Sequence, residues 1–341
     1  MKAYLERLAS RADLGLEEAR EAMNAVMRGD ASPVEIAAFL TALRVKGETP
    51  DEIAGCVLAL REHVVSVLPR RRDLLDVVGT GGDGANTFNI STAAALLCCA
   101  CGAAVAKHGN RAISSLAGSA DVLEALGVAI DLAHADEAAL VDEVGFAFLF
   151  APSHHPAMRH AGPVRRELGI RTVMNLLGPL ANPMGVSRLV IGVARPELVD
   201  AFGQVLLRLG VERALVVHGA GGLDELSPAG VNAMAVVEDG ALRRTPVSPR
   251  ELGLGRCDPA ELVGGNAIDN AATIRAIFAG ARGPKRDAVT LNAAAGLVAA
   301  GLADDLAAGL ELAGAAIDDG RAEDTLLRVA RASQARRGTE R

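Results

Sequence analysis

Apolar residues in the first third of the chain recur at the spacing of amphipathic helices. Residues 32–35 combine a Ser N-cap, a Pro at the first helical position and a Glu that completes a capping box, and apolar residues then follow at helical spacing. Residues 49–52 repeat this arrangement before a second helix, whose apolar side continues to Val64. Residues 14–27 predict one more helix. We therefore predict a small helical domain over residues 1–69.

Beyond a polar and basic segment at residues 69–73, the pattern changes to short apolar runs separated by glycine-rich turns and helices. The predicted strands cover residues 74–78, 103–106, 146–150, 189–193 and 214–217. Strands that alternate with helices indicate an α/β domain with a mostly parallel or mixed central sheet and surrounding helices. We predict that this larger domain spans residues 70–341 and that residues 69–73 form the linker.

The composition excludes several classes of function. The 341 residues carry 35 Lys and Arg against 42 Asp and Glu, a net charge of −7, with seven Phe, one Tyr and no Trp. Proteins that hold single-stranded nucleic acid stack bases on aromatic rings in a basic groove, so we expect no nucleic-acid partner. No apolar run reaches the ~18 residues of a membrane span. The charged N-terminal segment and the odd number of Cys, five, favour a cytoplasmic protein without a membrane association.

A glycine-rich loop joins the first predicted strand to an apolar helix. Four glycines lie within residues 79–84, and Ser91 and Thr92 stand at the start of the helix. Backbone N–H groups of such a loop, together with a helix N-terminus, bind phosphate, whereas the alternative is a tight turn with ordinary capping. A dinucleotide site is disfavoured, because the helix starts about seven residues after the last glycine of the G-x-G-x-x-G pattern.

Two further segments have polar groups that suit a polyanion. Residues 107–119, KHGNRAISSLAGS, gather two cations, a titratable ring, an amide and three hydroxyls, although a solvated basic turn is the alternative. Residues 218–227, HGAGGLDELS, place Asp224 and Glu225 in a glycine-rich loop. Two carboxylates beside a phosphate site are typical Mg²⁺ ligands, although alone they would indicate a charge pair at a helix start.

Residues 158–169, MRHAGPVRRELG, contain two adjacent arginines, Arg165 and Arg166. A guanidinium group suits a carboxylate, so one of them is a candidate acid-binding group. The spacing alone does not choose between them, and surface arginines on a helix are the alternative interpretation.

Together, residues 79–92, 107–127, 163–183 and 218–227 resemble the anthranilate phosphoribosyltransferase family, and the resemblance spans nearly the whole chain. It implies transfer of the phosphoribosyl group of 5-phosphoribosyl 1-diphosphate (PRPP) to the amine of anthranilate. The products would be N-(5-phosphoribosyl)anthranilate and diphosphate, in the second step of tryptophan biosynthesis from chorismate. The resemblance also implies a homodimer, a cleft between the domains, two Mg²⁺ ions per monomer, and a helical domain that part of about residues 163–185 joins.

The resemblance also implies site residues. PRPP contacts would come from Gly79, Gly82, Asp83, Thr87, Asn89, Ile90, Ser91, Thr92, Lys107, His108, Gly109, Asn110, Arg111, Ala112, Ile113, Ser114, Ser115 and Ser119. Anthranilate contacts would come from Gly79, Asn110 and Arg165, and metal ligands would be Ser91, Asp224 and Glu225. Met174 departs from the family, which often has Phe there and thus a differently shaped acceptor pocket.

We expect no essential acid or base, since an arylamine is neutral and nucleophilic near pH 7. His108 is a candidate acceptor of the amine proton after attack, and Lys107 a candidate partner of the diphosphate. Two alternatives are a pyrimidine nucleoside phosphorylase-like enzyme and a non-catalytic relative that binds nucleic acid. The Asp-Glu pair disfavours the first, and the net charge of −7 disfavours the second.

Overall fold

The computed structural model describes residues 1–112 and 116–337, so the predicted PRPP contacts Ile113, Ser114 and Ser115 lie outside the described residues. The α-helices are α1 Lys2–Ala9, α2 Leu16–Arg28, α3 Pro33–Lys46, α4 Pro50–Glu62, α5 Ile90–Ala100, α6 Ser119–Ala125, α7 His134–Val144, α8 Ala151–His154, α9 Met158–Leu168, α10 Met174–Leu177, α11 Leu198–Arg208, α12 Ala267–Phe278, α13 Pro284–Ala300, α14 Leu306–Asp318 and α15 Arg321–Arg336. The strands are β1 Leu74–Gly79, β2 Ala104–Gly109, β3 Phe146–Phe150, β4 Arg188–Gly192, β5 Arg213–His218, β6 Ala233–Glu238 and β7 Ala241–Arg244.

The strands form one mixed sheet in the order β3-β2-β1-β4-β5-β6-β7. Strands β1 to β5 pair in parallel, whereas β6 and β7 pair antiparallel. This confirms the predicted fold class. Strands β6 and β7 were not predicted from the sequence. The Asp239-Gly240 pair joins them in a two-residue turn, and both residues have positive φ, 51° and 71°. An Asp-Gly pair at a two-residue turn is a strong hairpin signal.

Helices α3 and α4 begin where their capping signals predict. Ser32 and Thr49 each accept a hydrogen bond from the backbone of the Glu three residues later, at the starts of α3 and α4. Helix α4 ends at Glu62, so Val64 lies beyond it, contrary to the prediction that its apolar side continues to Val64. Helix α9 packs against α2 and α3, and α10 packs against α4. The segment between β3 and β4 therefore returns to the N-terminal helices.

Helices cover both faces of the sheet. Alternate residues of β1 belong to different cores: Leu75 and Val77 pack in the cluster that contains α5 and α13, and Leu74 packs in the cluster that contains the N-terminal helices. Helix α11 contacts β5, β6 and α4, so it lies between the sheet and the N-terminal helices. Within the described residues, no helix is long and apolar enough to cross a membrane.

Candidate functional site

The order in which successive strands are added to the sheet reverses between the neighbouring strands β1 and β4. The chain runs from β1 to β2 and β3 on one side, and from β4 to β5 on the other. Gly79 and Gly192, the last residues of β1 and β4, are in register at this point. Ligands of parallel α/β sheets bind outside the carboxyl ends of the strands where the order reverses. The glycine-rich loop leaves β1 at this position, so the topology places the predicted phosphate loop at the expected crevice.

Three glycines allow the segment around Asp224 and Glu225 to pass directly over the strand ends. A Cβ atom on Gly192 would overlap the carbonyl oxygen of Asp224, and one on Gly79 would overlap the Asp224 carboxylate. A Cβ on Gly219 would overlap the carbonyl oxygen of Glu225. Larger residues at these positions would displace the acidic segment, so the glycines set its position by close approach rather than by turn geometry.

Asp83, Asp224 and Glu225 converge in this crevice. One carboxylate oxygen of each lies within 4.8 Å of the others. Asp83 Oδ1 accepts from the Ala85 N–H at 3.1 Å, and Asp224 Oδ2 accepts from the Gly81 N–H at 2.6 Å. Glu225 Oε2 is buried and has no hydrogen-bond partner in the described part of the chain. The sequence analysis had identified Asp224 and Glu225 as metal ligands but placed Asp83 only among the PRPP contacts.

The electrostatics of this acidic cluster call for a cation. Burial and then repulsion from neighbouring carboxylates raise the pKa values of Asp224 and Glu225, since both effects disfavour the charged forms. A backbone hydrogen bond from Ser91 opposes the shift at Glu225. Three carboxylates with an unpartnered buried oxygen offer the hard oxygen ligands that Mg²⁺ prefers. The donor set therefore fits a magnesium ion, and Ser91 lies beside it.

Lys107 has a different environment from the one that the sequence suggested. Its side chain is 2% exposed, and Nζ donates to the Val77 carbonyl oxygen at 2.6 Å. Burial lowers its pKa, and attraction to Asp76 and Glu225 opposes that change. The ammonium group therefore acts as an internal counter-charge below the acidic cluster, with one of its three donors already committed to the backbone.

His108 is poorly suited to accept a proton. Its ring lies in the interior, where Nδ1 is 3.1 Å from the Gly178 carbonyl oxygen and Nε2 is 3.2 Å from His155 Nε2. A carbonyl oxygen only accepts, so Nδ1 carries the proton. Burial, followed by repulsion from His155, lowers the pKa of His108 to about 3. The ring is neutral near pH 7 and is a weak base, which argues against the predicted proton-acceptor role.

The two predicted phosphate segments are bonded to each other. Asn89 Nδ2 donates to the Ala117 carbonyl oxygen at 3.1 Å, and Asn89 Oδ1 accepts from Asn270 at 2.9 Å. Ser119 Oγ lies 3.3 Å from the Asn110 carbonyl oxygen. Asn89 Nδ2 therefore holds the two segments together, and Asn89 Oδ1 attaches them to α12.

The remaining predicted PRPP contacts differ in accessibility. Ile90 and Thr92 are buried, so only their backbone is suited to a phosphate, whereas Gly82, Thr87, Gly109 and Ala112 are accessible to varying degrees. The exposed guanidinium of Arg111 pairs with Asp121 and Glu124 on α6 rather than with the glycine-rich loop.

The structure distinguishes the two adjacent arginines on α9. Arg166 is exposed, whereas Arg165 is half-buried, and its burial lowers the pKa of the guanidinium. Within residues 1–112 and 116–337, the Arg165 guanidinium makes no hydrogen bond or ion pair. A partly desolvated guanidinium without a counter-ion is suited to a ligand carboxylate. Burial therefore favours Arg165, a choice that the spacing had left open.

Two polar residues near the crevice were not singled out from the sequence. Arg171 Nη2 donates to the carbonyl oxygens of Thr80 and Gly81, at 3.1 and 2.9 Å, and so ties the segment after α9 to the glycine-rich loop. Asn182 Nδ2 donates to Asp76 at 2.9 Å, beneath the loop. Both residues lie within residues 163–183, which carry the family resemblance, but the role of each depends on a partner about 90 or more positions away in the chain.

Both parts of the chain match models of glycosyl transferase families. The model for the glycosyl transferase family helical bundle domain matches residues 2–64. The model for the glycosyl transferase family a/b domain matches residues 71–323. The chain therefore belongs to a class of glycosyl transferases that consist of a helical bundle domain and an α/β domain.

Similar proteins narrow this class. An anthranilate phosphoribosyltransferase of Thermomicrobium roseum is 54% identical over 331 residues, covering 96% of this chain and 95% of that protein. The crystal structure of the Thermus thermophilus enzyme of the same name is 46% identical with a TM-score of 0.92, covering 97% and 99% of the two chains. A Saccharomyces cerevisiae enzyme in complex with PRPP and Mg is 27% identical with a TM-score of 0.89, covering 98% and 97%. The chain belongs to the anthranilate phosphoribosyltransferase family, which confirms the resemblance found in the sequence.

Proposed function

We propose that this protein transfers the phosphoribosyl group of PRPP to the amine of anthranilate, releasing diphosphate. The observation that carries the proposal is the convergence of Asp83, Asp224 and Glu225 over the paired ends of β1 and β4, beside a glycine-rich loop that suits a diphosphate. Relatives support both substrates, because Saccharomyces cerevisiae enzymes were solved with PRPP and Mg and with 4-fluoroanthranilate. A phosphorylase that uses inorganic phosphate does not require three carboxylates as metal ligands at this position.

The acidic cluster would hold Mg²⁺ through Asp83, Asp224 and Glu225, with Ser91 beside Glu225. We propose two ions per monomer, because three carboxylates provide up to six oxygen ligands, more than one ion with retained waters requires. Bound Mg²⁺ would neutralise charge on the departing diphosphate. Free backbone N–H groups of the loop and the N-terminus of α5 would bind the same anion.

The chain's own residues would act mainly by positioning and charge. Arg165 would bind the anthranilate carboxylate and thereby orient the amine toward the anomeric carbon of the sugar. The C–N bond forms as the C–O bond to diphosphate breaks, and the electron pair of the broken bond leaves on diphosphate. The proton that the attacking nitrogen then loses passes to the released diphosphate or to solvent. No side chain needs to remove a proton before attack, which agrees with the neutral, buried His108.

We propose that residues 1–69, joined by part of about residues 163–185, form one wall of the substrate cleft and the dimer contact, and that residues 70–341 form the PRPP-binding domain. The packing of α9 and α10 against α2, α3 and α4 supports this division, since α9 carries Arg165 toward the helical side. The domain arrangement would place the acceptor carboxylate on one wall and the diphosphate on the other.

The direct test is the loss of anthranilate fluorescence when the protein is mixed with PRPP and Mg²⁺. We expect turnover with wild type and a strong loss in Asp224→Ala/Glu225→Ala at low Mg²⁺, with far-UV circular dichroism confirming the fold. Release of free base from a pyrimidine nucleoside and phosphate, without anthranilate consumption, would contradict the proposal. An unchanged Mg²⁺ dependence in the double variant would contradict the metal assignment alone.

A further inference from the structure

A second cluster of metal-binding side chains lies outside the crevice, where α7 and α8 meet the connection between α4 and β1. His134 and Glu137 are one turn apart at the start of α7, and His154 is the last residue of α8. One ligand atom from each lies within 4.8 Å of the others. Glu137 is 1% exposed and His154 is fully buried, whereas His134 is partly accessible. The cluster is therefore an interior site with one ligand at the surface.

The hydrogen bonds of His154 leave its second nitrogen facing a carboxylate. Nδ1 lies 3.0 Å from the Val65 carbonyl oxygen, which only accepts, so Nδ1 carries a proton. Nε2 lies 3.1 Å from Glu137 Oε1 and 3.0 Å from Oε2. In the neutral ring the Nε2 lone pair would oppose those oxygens, so a proton or a metal cation must occupy the space between them. A backbone carbonyl on Nδ1 is also the usual support of a metal-binding His.

Two observations favour a metal over a proton. A single proton on Nε2 can be directed at only one of the two oxygens, and Glu137 Oε2, buried 3.0 Å from Nε2, has no other donor in the described residues. A proton also gives His134 no role, although its ring centroid lies 4.6 Å from that of His154. Two imidazoles and one carboxylate match a common zinc ligand set, in which a water completes the tetrahedron. The nitrogen ligands disfavour Mg²⁺ and Ca²⁺.

We propose that His134, Glu137 and His154 form a zinc-binding site, distinct from the acidic cluster in the crevice. The site would act on the connection between α4 and β1, because Val65 exchanges two hydrogen bonds with His154: its carbonyl accepts from Nδ1, and its N–H donates to the His154 carbonyl at 2.8 Å. Zinc would fix the His154 ring and thereby hold the start of this connection against α8. The proposal is independent of the reaction proposed above.

The test is a calorimetric titration of chelator-treated protein with Zn²⁺, with saturating Mg²⁺ present to occupy the acidic cluster. We expect one Zn²⁺ per chain, and binding weaker by at least about tenfold in His134→Gln and His154→Gln. The matched control is His155→Gln, which removes the neighbouring imidazole of the His108 pair. Unchanged binding in both ligand variants, or loss of binding in the control alone, would overturn the site, as would no binding by wild type.

Two measurements keep the test decisive if His154→Gln fails to fold. The His134 imidazole makes no hydrogen bond in the described residues, so His134→Gln retains the buried His154–Glu137 contact and should fold. Co²⁺ provides a spectroscopic probe, because intense visible d–d bands indicate four-coordinate geometry. We expect these bands, and a Zn²⁺-dependent rise in melting temperature, in wild type and His155→Gln but not in His134→Gln. Equal bands in His134→Gln would contradict the proposal.

Discussion

Replacing Asp83 by Asn isolates the electrostatic cost of the acidic cluster. Asp83 is the partly exposed member of the cluster, and its Oδ1 accepts from the Ala85 N–H, which an Asn side chain can retain. The substitution therefore removes a charge with little change of shape. We expect it to stabilise the protein without Mg²⁺ and to weaken the stabilisation that Mg²⁺ provides, two effects of opposite sign.

The magnitude follows from the separation of the carboxylates. The carboxylate oxygens lie within 4.8 Å of one another, and two full charges at that distance repel by about 3.5 kcal/mol at an effective dielectric constant near 20. Asp83 takes part in two such pairs, but solvent screens its exposed side, and Asp224 and Glu225 are partly protonated because their pKa values are raised. We therefore expect the free energy of unfolding at pH 8 without Mg²⁺ to increase by about 1–3 kcal/mol.

The pH dependence has a definite sign. The folded-state pKa values of Asp224 and Glu225 lie above those of the unfolded chain, so the unfolded state releases protons first as pH rises. The metal-free protein therefore loses stability from about pH 4 upward through the raised pKa values. Asp83→Asn should reduce this loss, and its advantage over wild type should vanish near pH 4.

Urea unfolding followed by far-UV circular dichroism measures these effects, since the chain has no Trp for fluorescence. The titrations are run with EDTA and with Mg²⁺, at several pH values. The exposed Asp304 provides the control, because Asp304→Asn makes the same change in net charge outside the crevice. Lower metal-free stability of Asp83→Asn at pH 8 would contradict repulsion within the acidic cluster. Equal stabilisation of wild type and Asp83→Asn by Mg²⁺ would contradict a role of Asp83 in binding the metal.

Two further predictions address the crevice. Arg165→Ala should raise the KM for anthranilate about tenfold to a hundredfold, because it removes a charge-assisted hydrogen bond to the carboxylate. The KM for PRPP should change little. Exposed Arg166→Ala is its control, and a change confined to the PRPP KM would exclude the carboxylate role. Gly192→Ala should lower stability by about 1–3 kcal/mol and weaken Mg²⁺-dependent activity, because its Cβ would displace Asp224. Gly314→Ala meets open space inside α14, where Ala is favoured over Gly by about 1 kcal/mol, so it should raise stability slightly and leave activity unchanged; a loss of stability equal to that of Gly192→Ala would contradict the close-approach argument.

Local signals predicted the parts of the fold that local interactions determine. The capping boxes at Ser32 and Thr49 located the starts of α3 and α4, because each box satisfies backbone donors within four residues. The five parallel strands were found because strands buried on both faces are continuous apolar runs. Strand β7 was missed because its residues are largely exposed and have no such pattern.

The site was predictable where its residues are neighbours in the chain. Asp224 and Glu225 are adjacent in a glycine-rich loop, so their convergence required little tertiary information. Asp83 joins them across 141 positions, through the Asp224 N–H at 3.4 Å, which only the order of the strands determines. The burial of Lys107 and His108 was equally inaccessible, because the residues that exclude water from them come from distant segments.

The return of α9 and α10 to the N-terminal helices means that the backbone crosses between the two parts of the molecule three times. It crosses once at residues 63–73, once before α9 and once after α10. A protease cut in the first connection would leave two polypeptides that stay associated through α9 and α10. A fragment of residues 2–64 would expose the apolar faces of α2, α3 and α4 that these helices cover. The helical unit is thus contiguous in space but not along the chain, and the gene cannot be divided into two independently folding halves at a single position.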